Sequence, residues 1–226
     1  MGNVVGNILS HGVAVAISPL PIVAVILILF TPKARSNSVA FLGGWLLGLI
    51  VVGTIVLLTG GFGSGRSGAS GGSALSGIIS LLLGLLLLVL AVRRWRTRPG
   101  KDEEPEMPRW MSAIDRFGPA KSVGMAAFLS GVNPKNLALT VATATTIAAA
   151  EVGAGRQVFG LAVFIVIGSI TVATPVIFYQ LLGQRAERGL NRMKDWLVAN
   201  NNTVMMVLLI VFGVKLLGQG IGVLFG

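Results

Sequence analysis

The strongest constraint on this sequence is a series of apolar blocks, each long enough to cross a lipid bilayer as a helix. A bilayer core about 30 Å thick needs roughly 20 residues of α-helix, at about 1.5 Å per residue. We place six such spans at residues 4–30, 39–60, 74–92, 122–149, 157–182 and 203–225. Because backbone groups inside lipid must find partners within the protein, we interpret every block as a helix. The sequence therefore predicts an all-α, polytopic membrane protein of six transmembrane helices.

Composition supports this class and excludes others. Hydrophobic residues make up 54% of the chain and charged residues only 12%, against about 25% charged in ordinary soluble domains. The net charge of +10 could indicate a nucleic-acid binder, but the basic residues lie mainly between the apolar blocks. We interpret them as orientation signals that contact membrane lipids, so no nucleic-acid partner is expected. The chain has no cysteine, and nothing in it predicts a metal or another cofactor.

The basic residues also predict the orientation of the chain in the membrane. With the N-terminus outside, the external loops contain Arg66 and Arg156. The cytoplasmic loops then contain Lys33, Arg35, Arg93, Arg94, Arg96, Arg98, Lys101, Arg109, Arg116, Lys121, Arg185, Arg188, Arg192 and Lys194. Loops rich in Lys and Arg stay in the cytoplasm. We therefore expect both termini on the extracytoplasmic side of a bacterial-type inner (plasma) membrane.

The spans divide into two halves, residues 1–92 and 122–226, joined by a cytoplasmic linker at 93–121. Apolar residues at helical spacing in the linker predict an amphipathic helix on the membrane surface; they are Trp110, Met111, Ile114 and Phe117. Three spans in each half make the second half insert upside down relative to the first. The sequence thus predicts two inverted three-helix repeats, an arrangement common in secondary transporters.

Each half begins with an interrupted apolar block. Residues 18–21 read Ser-Pro-Leu-Pro, and residues 133–136 read Asn-Pro-Lys-Asn. Proline removes a backbone donor, and lipid offers no replacement, so broken helices are expected to face the protein interior. We predict that the first and fourth helices are broken near Pro19 and Pro134. The alternative is that these prolines only kink packed helices.

Two lysines, Lys135 and Lys215, lie inside predicted spans, where a charge costs roughly 2.5–3.5 kcal/mol. No Asp or Glu lies in any predicted span. An anionic substrate group, a water-filled cavity or the C-terminus of a half-helix could stabilise the charges instead. The alternative is a snorkelling or structural lysine. The predicted substrate-binding residues are Ser18, Pro19, Pro21, Asn133, Pro134, Lys135, Asn136 and Lys215.

His11, the only histidine, is a possible proton relay or a hydrogen-bonded packing residue. Two glycine motifs, Gly44-x-x-x-Gly48 and Gly218-x-x-x-Gly222, are expected to permit close helix packing. No catalytic residue is predicted.

The proline-containing start of each half, the run at 133–136 and the six-span size resemble the lysine exporter superfamily. Within it, the chain is similar to the branch of GAP, or sulfolipid-addressing, proteins, and the resemblance covers nearly the whole chain. It implies a transporter-like fold. The branch is linked to export of cell-envelope glycolipids in mycolic-acid bacteria.

We therefore expect an exporter that moves a glycolipid, or another amphiphile with an anionic or polar head, across the inner membrane. A small amino-acid-like solute is the alternative cargo. An intramembrane lipid-modifying enzyme is a different class, but the spans contain no carboxylate pair for acid–base chemistry. The chain could also form a homo-oligomer or serve as a subunit of an envelope-export machine.

The predicted orientation can be tested by labelling single cysteines introduced into the cysteine-free chain. We expect cysteines at Gly68 and Gly226 to react with an impermeant thiol reagent added to intact cells, and a cysteine at Lys101 to react only after lysis. Reaction of the Lys101 site in sealed cells contradicts the orientation.

Overall fold

The computed structural model describes residues 2–59, 71–96, 114–150 and 152–225. Within these ranges the chain forms α-helices, short 3-10 helices at 114–116 and 183–186, and no strand. The α-helices are α1 (Gly2–Ala16), α2 (Pro19–Leu29), α3 (Ala34–Leu58), α4 (Gly71–Arg96), α5 (Pro119–Gly131), α6 (Pro134–Ala148), α7 (Ala154–Leu182) and α8 (Glu187–Phe225). The all-α class is confirmed. Most of the predicted linker helix, including Trp110 and Met111, lies outside the described residues.

Several helices are long and apolar enough to cross a membrane. Four qualify individually: α3, the Ser76–Arg96 part of α4, α7 and α8. The pair α1 and α2, bent by 48° at its break, qualifies as a fifth, broken span. The predicted span at 122–149 is occupied by α5 and α6, which are only 13 and 15 residues long. The structure thus supports a multi-pass protein with four or five spans, and the count of six remains a prediction.

Helix breaks are present at both predicted interruptions. The first helix ends at Ala16, Ser18 is extended (φ −108°, ψ 102°), and Pro19 begins α2. Asn133 caps the second break, and Pro134 begins α6. Proline suits the first turn of a helix because its missing N–H would have no partner there. Whether the two halves superpose as inverted repeats remains a prediction.

The short helix α2 lies at the centre of the protein. Nine of its eleven residues are buried. It contacts α3, α7 and α8. A helix that is apolar on every side is typical of the interior of a larger helical assembly. The break that begins α2 is therefore held inside the protein.

Glycines bring α3 and α5 into backbone contact. A Cβ atom at Gly44 would collide with the backbone of Val123, and one at Gly48 would collide with Ser130 Oγ. Small residues allow membrane helices to approach closely and gain dispersion contacts. The packing predicted for this motif is confirmed.

A second glycine contact joins α4 to α8, but not through the predicted motif. A Cβ at Gly84 would lie 2.9 Å from the Gly213 carbonyl oxygen, and one at Gly220 would also meet α4. At Gly218 and Gly222 a Cβ would meet nothing within 4 Å among the described residues. The packing prediction for Gly218 and Gly222 was therefore wrong, because those glycines lie on a different face of α8.

The last helix, α8, runs without a break for 39 residues. At about 1.5 Å per residue it is roughly 58 Å long, well beyond the thickness of a bilayer core. Its N-terminal part extends past the predicted span at 203–225, and Leu190 and Leu197 are buried there. One continuous helix therefore connects the membrane region with the segment that precedes it.

The contact between α3 and α5 predicts a position-specific effect of adding one methyl group. We expect Gly48→Ala to destabilise the protein by about 1–3 kcal/mol, because the new Cβ overpacks against Ser130 and the Ala127 carbonyl. Gly43, on the same helix, has open space around its Cβ position and is the matched control. Thermal unfolding in detergent micelles measures both. Equal melting temperatures for Gly48→Ala and Gly43→Ala contradict the packing.

Candidate functional site

The break between α1 and α2 leaves backbone carbonyls without their helical donors. In a continuous helix the Ala14 carbonyl would accept from the Ser18 N–H, but that N–H bonds to Ala16 O at 2.8 Å. The Lys135 side chain replaces it: Nζ donates to Ala14 O at 2.7 Å and to Ser18 Oγ at 2.6 Å. Lys135 is only 2% exposed. Its amino group thus lies at the C-terminus of α1, where the helix dipole is negative.

Two hydroxyl groups satisfy the remaining carbonyls at this break. Pro19 has no N–H, so the Val15 carbonyl loses its donor, and Ser18 Oγ donates to it at 2.6 Å. Thr171, on α7, donates from Oγ1 to Ala16 O at 2.5 Å. The broken end of α1 is therefore held by side chains from three different helical segments.

The second break is held in the same way and is linked to the first. Asn136 Nδ2 donates to Leu129 O at 2.9 Å, near the end of α5. Its Oδ1 lies 3.1 Å from Ser18 Oγ. Asn133 Oδ1 accepts from the Lys135 backbone N–H at 3.1 Å. Lys135 and Asn136, adjacent on α6, thus bind the two breaks together, and Ser18 contacts both.

A cavity of about 290 Å³ opens beside Lys135, and we call it the basic cavity. Its lining residues are Leu90, Arg93, Arg94, Asn133, Pro134, Lys135, Met205 and Leu209. Arg94 donates from Nη1 to Asn202 Oδ1 at 2.9 Å. Ser18 and Pro21 line a much smaller space nearby, together with Lys135. Pro19 and Pro134 begin the helices that form the site. Seven of the eight predicted substrate-binding residues therefore gather at the two breaks.

Lys215, the eighth, lines a different and larger cavity of about 730 Å³, which we call the hydroxyl-lined cavity. Its polar lining residues are Asn7, Ser10, Ser76, Ser80, Thr145, Thr146, Lys215 and Gln219. Lys215 Nζ donates to Ser10 Oγ, and Gln219 Nε2 donates to Asn7 Oδ1 at 2.7 Å. These bonds join α8 to α1. The structure therefore does not bring Lys215 to the Lys135 site.

The two cavities lie towards opposite ends of the same helices. On α4, Ser80 lines one cavity and Arg94 lines the other, so they are separated by about 21 Å along the axis. On α6, Thr146 lines the hydroxyl-lined cavity and Lys135 lines the basic cavity, and they are separated by roughly 16 Å along the helix axis. Helix α8 also lines both cavities. The polar surface thus has two openings with packed protein between them.

His11 lies on α1 and is fully buried against α6 and α8. Its Nδ1 lies 3.0 Å from Thr143 Oγ1, and its ring meets Phe212 edge to face. The Thr143 hydroxyl donates to the Leu139 carbonyl at 2.8 Å, so it accepts from His11 Nδ1–H. Nε2 is then an acceptor, and it has no hydrogen-bond partner among the described residues. His11 is packed and hydrogen-bonded, and its predicted relay role is untested.

Neutral oxygen atoms are the partners of the buried Lys135 and the half-buried Lys215. In the described ranges the ion pair found is Lys194 with Asp195, at 3.4 Å on α8. Among the same residues, no group of three His, Cys, Asp or Glu side chains could hold a metal ion. Among the described residues, neither Lys135 nor Lys215 thus has an acidic partner.

Several lining residues were not predicted from the sequence. Arg94, for example, was interpreted only as an orientation signal. Ser10, Asn7 and Gln219 are polar residues inside apolar blocks, which is the signal that could have identified them. Lys135 met the same criterion and was predicted.

The chain was also compared with known proteins. No curated protein and no solved structure matches it significantly. The family model described as "Sap, sulfolipid-1-addressing protein" matches residues 8–222. The predicted resemblance to the sulfolipid-addressing branch is confirmed, while the wider link to the lysine exporter superfamily remains a prediction. Because the match covers nearly the whole sequence, the chain belongs to the sulfolipid-1-addressing protein family.

Proposed function

We propose that this protein is an exporter that carries a lipid with an anionic or polar head across the inner membrane. The observation that carries the proposal is the pair of basic, polar cavities towards opposite ends of shared helices. Lys135 with Arg94 provides positive charge at one end, and Lys215 provides it at the other. The family description names a sulfolipid, which is an anionic lipid. An anionic head could thus bind at either end of the protein.

The proposed topology assigns each cavity to one side of the membrane. Six spans in two inverted repeats, with both termini extracytoplasmic, put Arg93 and Arg94 at the cytoplasmic surface. The basic cavity then faces the cytoplasm, where the head group enters. The hydroxyl-lined cavity faces the extracytoplasmic side, where the head group leaves.

The bonds of Lys135 suggest how binding opens the path between the cavities. An anionic head that binds Nζ competes with Ala14 O and Ser18 Oγ for the same N–H donors. Losing those bonds frees the C-terminal end of α1 from α6. The broken helices can then separate on one side while the opposite cavity stays closed. His11, packed between the same helices, is the candidate for coupling this motion to proton movement.

A transporter accounts for these features better than an intramembrane enzyme. The ionisable side chains identified in and between the cavities are histidine, lysine and arginine. General acid–base catalysis at neutral pH normally uses positioned carboxylate or histidine groups, and the one histidine here is packed against Phe212. A small amino-acid-like solute is the alternative cargo, and the same assay distinguishes it.

We expect Lys135→Met to reduce lipid transport at least tenfold, because the head group loses its cationic partner. The assay follows a fluorescent sulfated glycolipid in liposomes, with an impermeant quencher reporting which leaflet holds it. Lys215→Met should cause a smaller loss. Lys33→Met, at an exposed position, is the matched control and should transport normally. A labelled acidic amino acid tested in parallel identifies a small-solute exporter.

Lys135→Gln separates the charge of Lys135 from its capping bond. Removing the donor to Ala14 O costs about 1–3 kcal/mol of stability. Glutamine keeps an N–H donor but has no charge, so we expect Lys135→Gln to be more stable than Lys135→Met and equally inactive. Normal lipid transport by either folded variant overturns the role of Lys135.

A further inference from the structure

An apolar groove lies beside the hydroxyl-lined cavity, between α1 and α7. It encloses about 390 Å³, and its lining includes Val5, Leu9, Phe159, Gly160 and Val163. Several of these side chains are largely exposed in the structure, Phe159 to 71%. Arg156 also lines the groove, near the N-terminus of α7. The groove thus combines an apolar surface with one positive charge.

The groove and the hydroxyl-lined cavity lie side by side. Val4 and Ala150 line both spaces. Val4 lies on α1 and Ala150 lies just after the C-terminus of α6, so these residues form the border between the two spaces. A molecule that crosses this border has one end among polar groups and the other among apolar groups. That is the geometry an amphiphile requires.

The polar side of the border suits a polyhydroxylated head group. Hydroxyl and amide groups from Asn7, Ser10, Ser80 and Gln219 can both donate and accept hydrogen bonds, as sugar hydroxyls do. Thr145 Oγ1 is buried, lines this cavity and has no hydrogen-bond partner among the described residues. A buried polar atom of this kind normally has a partner. A ligand hydroxyl can provide one.

The cavity also contains a cation. Lys215 Nζ contacts the neutral Ser10 hydroxyl, so its charge is available to an anionic group. A volume of about 730 Å³ lies within the usual range for ligand sites, roughly 300–1,000 Å³. Sugar hydroxyls and one sulfate or carboxylate therefore match the lining in polarity and in charge.

We propose that the hydroxyl-lined cavity and the apolar groove form one two-part site for an anionic glycolipid. The sugar head occupies the cavity with its negative group on Lys215, and an acyl chain passes Val4 and Ala150 into the groove between α1 and α7. Arg156 faces the polar part of the lipid at the groove edge. The inference rests on the proposed function for the class of lipid and for its position on the exit side of the membrane, and it adds the site where that lipid binds.

Equilibrium binding to the full chain in phosphatidylcholine nanodiscs tests the head-group half. Sulfated galactosylceramide and neutral galactosylceramide, with identical acyl chains, are the two probes. We expect Lys215→Met to lower the affinity for the sulfated probe about tenfold, the effect of one charged hydrogen bond. Its affinity for the neutral probe should not change. Lys33→Met is the matched control. An equal effect on both probes, or none on the sulfated probe, overturns the assignment of Lys215.

A bulky residue in the groove tests the tail half. We expect Val163→Trp to lower the affinity for both lipids about tenfold while leaving soluble galactose 3-sulfate unaffected, because only the lipids need the groove. Val166, on the same helix, is 64% exposed and does not line the groove, so Val166→Trp is the matched control. Equal lipid affinities for the two tryptophan variants overturn the tail assignment.

Photo-crosslinking tests the same assignment in the unmodified protein. A sulfated galactosylceramide with a diazirine at the chain end should label residues 5–9 and 159–163, and excess unlabelled lipid should abolish that labelling. Labelling elsewhere, or labelling that resists competition, overturns the proposal. Binding as expected without transport would refute the exporter and leave this site intact. Transport with unchanged binding in Lys215→Met would refute this site alone.

Discussion

The capping of the broken first helix by Lys135 is the interaction on which the rest of this structure depends. A helix that ends inside a membrane protein exposes carbonyl groups that lipid cannot satisfy. Here one buried ammonium group, one serine and one threonine satisfy them, and the neighbouring Asn136 does the same for the second break. The break provides a free carbonyl group that stabilises the Lys135 amino group, and the Lys135 amino group provides the donor that this carbonyl lacks. Each feature thus lowers the energetic cost of the other.

This mutual dependence explains why part of the site could be predicted from the sequence. Proline has the same chemistry in every context, so residues 18–21 and 133–136 identified both breaks without any knowledge of packing. A lysine in an apolar block is equally conspicuous, because its cost must be offset. The possibility that a half-helix terminus stabilises the lysine is what the structure shows, although it could not be chosen in advance over an anion or a water-filled cavity. The choice depends on which carbonyl lies within reach of Nζ.

Other features depend on tertiary arrangement and could not be predicted in this way. Lys135 and Lys215 both lie inside apolar blocks, but Lys135 lies in the first turn of α6 whereas Lys215 lies far along α8. The tertiary arrangement of the helices places them in two different cavities. The spacing of Gly218 and Gly222 resembles a packing motif, yet Gly84 and Gly213 make the contact, because spacing does not specify which helix face meets a neighbour. The second span was predicted to begin at residue 39, whereas α3 begins at Ala34 and so includes polar residues before the apolar block.

The unbroken length of α8 gives the molecule a mechanical property that its broken helices lack. Helix α1 ends at the first break and α6 begins at the second, so each is a short segment. Helix α8, by contrast, is a stiff rod that passes both cavities and continues beyond the bilayer core. Its close glycine contacts with α4 pack the two helices tightly together. If this helix pair tilted about a point between the cavities, one cavity would widen and the other would narrow. Opposite movements at the two ends would then follow from rigidity, without any relay of side chains.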